Sequence, residues 1–324
     1  MLANRQLNFI GAFAIWAGLL AFGAFYGTLL GYGGPHFAVS MAVCAALLAG
    51  QLFCAVAGVR ERMLALLGRT NGWLAVLLPL AAFLIYAALA NGTGWIGFAG
   101  GIVYALIPAA LLASAGERPP GAWQDYVALV AIWIAVELRA LHQLWPYPPQ
   151  LTHTLTILFA LNVALAAFVF VRRLDGIGYS IEWGRGFSFN ILFHFLVFAA
   201  IAVPLGEVIG FLHFDPSLAR LRSLPLAALG ILFFTAWPEE FLFRGLLQNL
   251  LARTLKNPWA GSIVAAIIFG FTHINNGGFP NWRYFLLASI AGIFYGRVWM
   301  KTDSIFASCL VHALVDITWH ALFI

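Results

Sequence analysis

The chain has 324 residues, 63% of them hydrophobic and only 9% charged, against about a quarter charged in ordinary soluble domains. Its formal net charge of +5 is no sign of a nucleic-acid binder, because the basic residues sort by loop along the chain. Repeated apolar runs of about twenty residues, the length of a bilayer-spanning helix, exclude a soluble domain and predict an all-α, polytopic transmembrane bundle.

In chain order the runs predict about eleven spans, near 8–31, 36–58, 72–91, 95–115, 124–142, 151–171, 187–211, 224–250, 259–275, 283–300 and 304–323. The first is too long for the apolar core of a signal peptide and lacks a small-residue cleavage site, so it reads as a retained anchor. With the N-terminus in the cytosol, the loops holding Arg5, Arg60, Arg62, Arg69, Arg118, Arg172, Arg173, Arg185, Arg253, Lys256, Arg297 and Lys301 fall inside. Only Arg139, Arg220, Arg222 and Arg283 fall outside, which follows the positive-inside rule. The C-terminus then lies outside. The expectation is a multi-pass protein of the inner (plasma) membrane, with the lipid bilayer as partner and no nucleic acid.

Two loops, 116–125 and 172–186, read as boundaries. Residues 1–171 form Ala/Leu-rich helices of unassigned role, whose few ionisable groups include Glu137 and His142. Residues 187–324 gather the intramembrane polar side chains: Asn190, His194, Glu207, Glu239, Glu240, Arg244, His273, His312, Asp316 and His320. Ionisable groups in a bilayer are costly and mark functional sites, so the chemistry is expected in this half. Cys44, Cys54 and Cys309 show neither metal spacing nor an extracellular pairing pattern.

Three segments carry the candidate chemistry. In "TAWPEEFLFRGLL" (235–247), Glu240 and Arg244 are four residues apart and share a helical face, which allows an ion pair. Glu239 is turned about 100° away and faces something else. Pro238 suits a first helical turn or else kinks a longer helix. In "FGFTH" (269–273), His273 follows Phe269 by one turn. In "CLVHALVDITWH" (309–320), His312, Asp316 and His320 form one stripe, with Cys309 a turn before His312 as a geometrically permitted thiol–imidazole pair. Singly, each segment also reads as structure: an ion pair between helices, a helix-bridging histidine, polar glue. Together, a carboxylate base, two imidazoles and an aspartate suit water activation and oxyanion stabilisation.

Glu239-Glu240-x-x-x-Arg244, Phe269-x-x-x-His273 and His312-x-x-x-Asp316, in that order over roughly 220–322, resemble the three motifs of the CAAX protease and bacteriocin-processing family. The resemblance implies a glutamate-type intramembrane endopeptidase without metal or cofactor. It gives water activation to Glu239 and His273, and oxyanion stabilisation to His312 with its partner four residues on. It makes Glu240 and Arg244 a supporting pair that holds Glu239. The family partner of His312 is often Asn, a donor; here it is Asp316, an acceptor unless protonated, which points instead to orienting His312. The substrate implied is a membrane-associated protein or peptide, such as a tail or precursor processed at the membrane.

A depth ruler of about 1.5 Å per residue puts Glu239, His312 and Asp316 near mid-bilayer. It puts His273 nearer the outer face if its helix enters at Pro258. Rival readings are a zinc protease using His273, His312 and Glu239 or Asp316, for which no H-E-x-x-H is present, and a non-catalytic immunity, scaffold or proton-coupled transport protein. Polar residues loaded into one half only count against a transporter with repeated halves.

Overall fold

The computed structural model describes residues 2–90 and 92–324, with side chains from residue 6 onward, so the reading of Arg5 lies outside the described side chains. Among the described residues the fold is all-helical, and one isolated β-bridge joins Phe214 to Phe323. The chain divides into two compact units, Met1–Asp175 with Ser180–Glu182, and Gly176–Tyr179 with Trp183–Ile324.

The first unit contains α1 (Leu2–Leu29), α2 (Gly34–Cys54), α3 (Ala57–Leu67), α4 (Leu77–Leu89), α5 (Trp95–Ala115), α6 (Trp123–Glu137) and α7 (Thr152–Ala164), the last running on in wide π-type turns to Val171. The second contains α8 (Phe187–Val208), α9 (Leu218–Thr254), α10 (Pro258–Phe271), α11 (Trp282–Thr302) and α12 (Ile305–Leu322). Among the described residues eight helical segments are long and apolar enough to cross a membrane, and this is a multi-pass membrane protein. Three further runs that hydropathy predicts as spans are helical but fall outside those eight: α6 with 15 residues, α10 with 14, and α11, which carries Arg283, Arg297 and Lys301. The run at 124–142 is cut at Glu137 because the chain then turns, with Arg139 at a φ of 54°. Residues 57–67, which lie largely outside the apolar runs, form the short helix α3.

A core of packed rings stiffens the first unit. Trp145 and Phe159 sit edge-to-face at 5.4 Å, and Trp145 lies 4.8 Å from Tyr86, whose hydroxyl donates to the Tyr147 carbonyl at 2.6 Å. A second fastening is polar. Asp125 accepts from the backbone of Gly121 and Ala122 at 2.8 and 3.1 Å and pairs with Arg172 at 2.6 Å, both side chains being buried. Arg172 also donates to the carbonyls of Arg118 and Pro119 at 2.9 and 3.1 Å, so one guanidinium ties the 116–122 loop to the end of α7. Arg172→Met strands the buried carboxylate, and the expected cost is about 3–5 kcal/mol. The checking measurement is thermal unfolding in detergent, and an unchanged midpoint would refute the fastening.

Capping side chains start four of the five helices of the second unit, α9 to α12. Ser217, Asn257, Asn281 and Ser304 accept from the backbone N–H groups of Arg220, Trp259 and Ala260, Tyr284, and Ala307, at 2.9–3.3 Å, and Pro258 opens α10 where no N–H is needed. Small residues let the helices close on one another. A Cβ on Gly270 would stand 2.6 Å from the Phe285 carbonyl oxygen, and one on Gly261 would stand 2.5 Å from the Ala252 nitrogen. This close approach of α10 to α9 and α11 is the packing that small residues permit in membranes.

Of the two readings of Pro238, a first helical turn or an irregularity within a longer helix, the structure has the second. α9 runs continuously for 37 residues, and residues 232–236 and 241–248 form wide π-type turns on either side of Trp237–Glu240. Wide turns shift the backbone pairing, so the N–H that proline lacks is accommodated without ending the helix.

Candidate active site

Four helices of the second unit build one polar centre inside apolar walls. α9 supplies Glu239, Glu240 and Arg244, α12 supplies Ser308, His312 and Asp316, α11 supplies Tyr284 and Tyr295, and the C-terminal end of α10 presents Phe269 and His273.

Glu240 is the hub. It is fully buried and 2.9 Å from Arg244 Nη1 through Oε1, the same oxygen that lies 2.8 Å from His312 Nδ1. Its other oxygen accepts from the Ser308 hydroxyl. A carboxylate can only accept, so His312 carries a proton on Nδ1 and turns Nε2 outward. There Nε2 meets two further carboxylates, Asp316 Oδ2 at 3.4 Å and Glu239 Oε2 at 3.8 Å. Rings hold this geometry. Tyr295 stacks on His312 with centroids 4.6 Å apart and planes 16° apart, and Phe269 stands edge-on at 5.8 Å. The Arg244 guanidinium lies over Phe269 at 4.5 Å and donates to the Gly292 carbonyl at 3.2 Å.

His273 is oriented by its own backbone. Nδ1 lies 2.9 Å from the Phe269 carbonyl oxygen, a pure acceptor, which assigns the proton to Nδ1 and leaves Nε2 a free lone pair. Its ring packs against Tyr284 at 4.6 Å and Phe269 at 4.8 Å.

Glu239, His273, His312 and Asp316 all line one cavity of about 260 Å3, whose remaining wall is mostly apolar and aromatic, including Phe198, Phe211, Tyr284 and Trp319. Glu239 and Asp316 are 32% and 29% exposed, whereas Glu240 and Arg244 are closed off behind them. Glu239 Oε2 accepts no hydrogen bond from the protein. Helix length alone sets His273 at a different depth from Glu239, yet both reach the same space.

The six ionisable motif residues therefore gather, five of them in direct charged contact and His273 in the wall of the same cavity. Other sequence candidates do not join them. Cys309 faces the Ala236 carbonyl at 3.7 Å rather than forming a thiol–imidazole pair. His194 is held by the Asn190 carbonyl at 2.7 Å, Glu207 and His320 are exposed, and Glu137 and His142 belong to the first unit. Sequence reasoning missed Ser308 and Tyr295. Ser308 could have been found, because it extends the His312–Asp316 stripe back by one turn; nothing local marks Tyr295. Among the described residues no three His, Cys, Asp or Glu side chains form a group suited to a metal ion.

Residues 221–318 match the family model described as type II CAAX prenyl endopeptidase Rce1-like. Over this segment the chain is similar to that family. The matched segment reaches from the first turn of α9 into α12 and contains all six ionisable motif residues, in agreement with the resemblance seen in the motifs. Rce1-like proteins form a protease family. No curated protein and no solved structure matches the chain.

Proposed function

We propose that the protein is an intramembrane endopeptidase of the type II CAAX family, of glutamic type, and that the cavity of the second unit is where it hydrolyses a peptide bond. The observation that carries the reading is the convergence of Glu239, His273 and the outward nitrogen of His312 on one apolar cavity. Glu239 offers an oxygen with no protein donor, and His273 offers an unprotonated Nε2, so Glu239 takes the proton of an attacking water and later gives it to the departing amine, while His273 accepts a hydrogen bond from the water's other O–H. His312, fixed at Nδ1–H by Glu240, carries a second proton on Nε2 beside the carboxylates of Asp316 and Glu239, and Nε2–H donates a hydrogen bond to the carbonyl oxygen as charge develops there. The substrate is a protein or peptide already at the membrane, such as a tail or precursor, because the cavity wall is largely apolar and buried among transmembrane helices.

The test works without an identified substrate. Membranes from cells expressing the protein, or its Glu239→Gln form at equal abundance, are compared for new protein termini by mass spectrometry. Termini that appear with the parent alone identify substrates. Identical sets in both would sink the protease reading.

The same reading places eleven spans in the membrane with the N-terminus inside and the C-terminus outside, the basic loops being its support. Residues 1–171 form a part whose role in the reaction is unassigned, and 187–324 form the protease core. A tag at the N-terminus is expected to resist protease added to the outer face. Its digestion there would overturn this topology.

Asp316 completes the reading. Glu240 and Tyr295 already hold the His312 ring, so the task of Asp316 lies at Nε2, where it accepts a hydrogen bond from Nε2–H and keeps that donor aimed at the oxyanion. Asp316→Asn is expected to lose most activity. Asp316→Ala and His312→Ala are expected to lose about 10²–10³-fold, the cost of an oxyanion donor. The double variant should be little worse than either, since the two act as a unit. Full activity in Asp316→Asn would make residue 316 a donor instead.

A further inference from the structure

A second cavity, of about 230 Å3, lies wholly within the first unit and takes no part in the chemistry above. Its wall comes from α3, the start of α4 and the end of α7, through side chains such as Met63, Leu66, Leu67, Leu78, Leu165 and Phe170. The one amide in that wall, Asn162, already donates to the carbonyls of Leu47 and Leu158 at 2.8 and 2.7 Å. An apolar cavity of about 150 Å3 stays dry and takes up benzene, so this larger one favours hydrocarbon over water. Leu66 and Leu78 belong to its wall and are 85% and 41% exposed, which places a greasy mouth at the protein surface.

Charge surrounds that mouth. Arg62 precedes Leu66 by one helical turn and shares its face. Arg69 follows the end of α3 and is 81% exposed, with only a loose 3.9 Å approach to Glu117, itself 95% exposed. α3 is held in position from behind: Arg173 donates to the Leu64 carbonyl at 3.1 Å and to that of Gly68. A fixed apolar pocket with arginines at its rim matches a lipid whose tail is hydrocarbon and whose head is an anion, and basic residues at a membrane surface attract such heads. We propose that this cavity holds one acyl chain of an anionic phospholipid, with the phosphate against Arg62 and Arg69. The inference does not depend on the protease reading.

The test is native mass spectrometry of the full chain in a neutral detergent, titrated with dioleoylphosphatidylglycerol, dioleoylphosphatidylcholine or inorganic phosphate. One phosphatidylglycerol should be retained with saturation, and inorganic phosphate should leave that retention unchanged. R62Q/R69Q removes two exposed charges with little risk to folding. It should lower the preference for phosphatidylglycerol over phosphatidylcholine by about thirtyfold. Ala75→Phe fills the cavity and should abolish retention of either lipid; if that variant does not fold, the arginine pair decides alone. Lipid binding that never saturates, equal retention of the two lipids by the parent, or retention unchanged in R62Q/R69Q overturns the proposal.

Discussion

Glu239→Gln is expected to lower cleavage by about 10²–10⁴-fold, the range for losing a positioned general base, while leaving the protein folded. Both halves of that result follow from where the side chain sits. Glu239 Oε2 is buried, accepts no hydrogen bond from the protein and stands 3.8 Å from His312 Nε2. An amide of the same shape cannot accept a proton from water, so the chemistry fails. No protein donor loses a partner at that oxygen, so stability changes little. The check is the rate of appearance of the cleaved termini, set against protein abundance and thermal unfolding of the same preparations. A Gln variant that cleaves at the parental rate removes Glu239 from the reaction.

Glu240→Gln is expected to fail differently, by unfolding as well as by inactivity. This carboxylate answers Arg244, His312 and Ser308 at once from a fully buried position. Losing its charge leaves the guanidinium uncompensated in a site of low dielectric, at an expected cost of about 3–5 kcal/mol. The fraction that still folds is also impaired, because an amide facing His312 Nδ1 no longer dictates which ring nitrogen carries the proton, and loss of such an orienting charge is severe. Thermal unfolding of Glu240→Gln, Arg244→Met and the double variant separates the effects. The double variant should be more stable than the sum of the single losses predicts, since removing both charges leaves neither stranded. Its activity should stay low. Parental stability in Glu240→Gln would refute the hub.

The two predictions share a pattern. Neighbouring carboxylates on one helix take opposite tasks because one points into the cavity and the other into the packed interface with α11 and α12. The wide turn at 241–248 keeps Arg244 under Glu240 while Glu239 remains reachable.

Much of this was legible in the chain. Long apolar runs with few charges predict membrane helices because an unpaired backbone or charge is costly in hydrocarbon. The pairing of Glu240 with Arg244 and the His312–Asp316 stripe follow from spacing on a helix. Spans were harder to count, because a short apolar helix such as α10, of 14 residues, reads in hydropathy like a full crossing, and hydropathy does not register a turn such as that after Glu137. Pro238 left a helix start and a distorted longer helix both open in the sequence, because its missing N–H can be absorbed by wider turns.

What the sequence by itself determined is therefore the all-helical membrane class, the three motif segments and the faces on which their side chains lie, since these depend on composition and on the 3.6-residue period. Only the tertiary structure decided that Glu240, rather than Asp316, holds His312 by Nδ1, and that Ser308 and Tyr295 belong to the same centre. It also brought His273 to the cavity of Glu239, although the length of its helix puts it at another depth. Those outcomes depend on how closely α10 approaches α9 across Gly261 and α11 across Gly270 and Gly292, and such contacts between packed helices have no period to read.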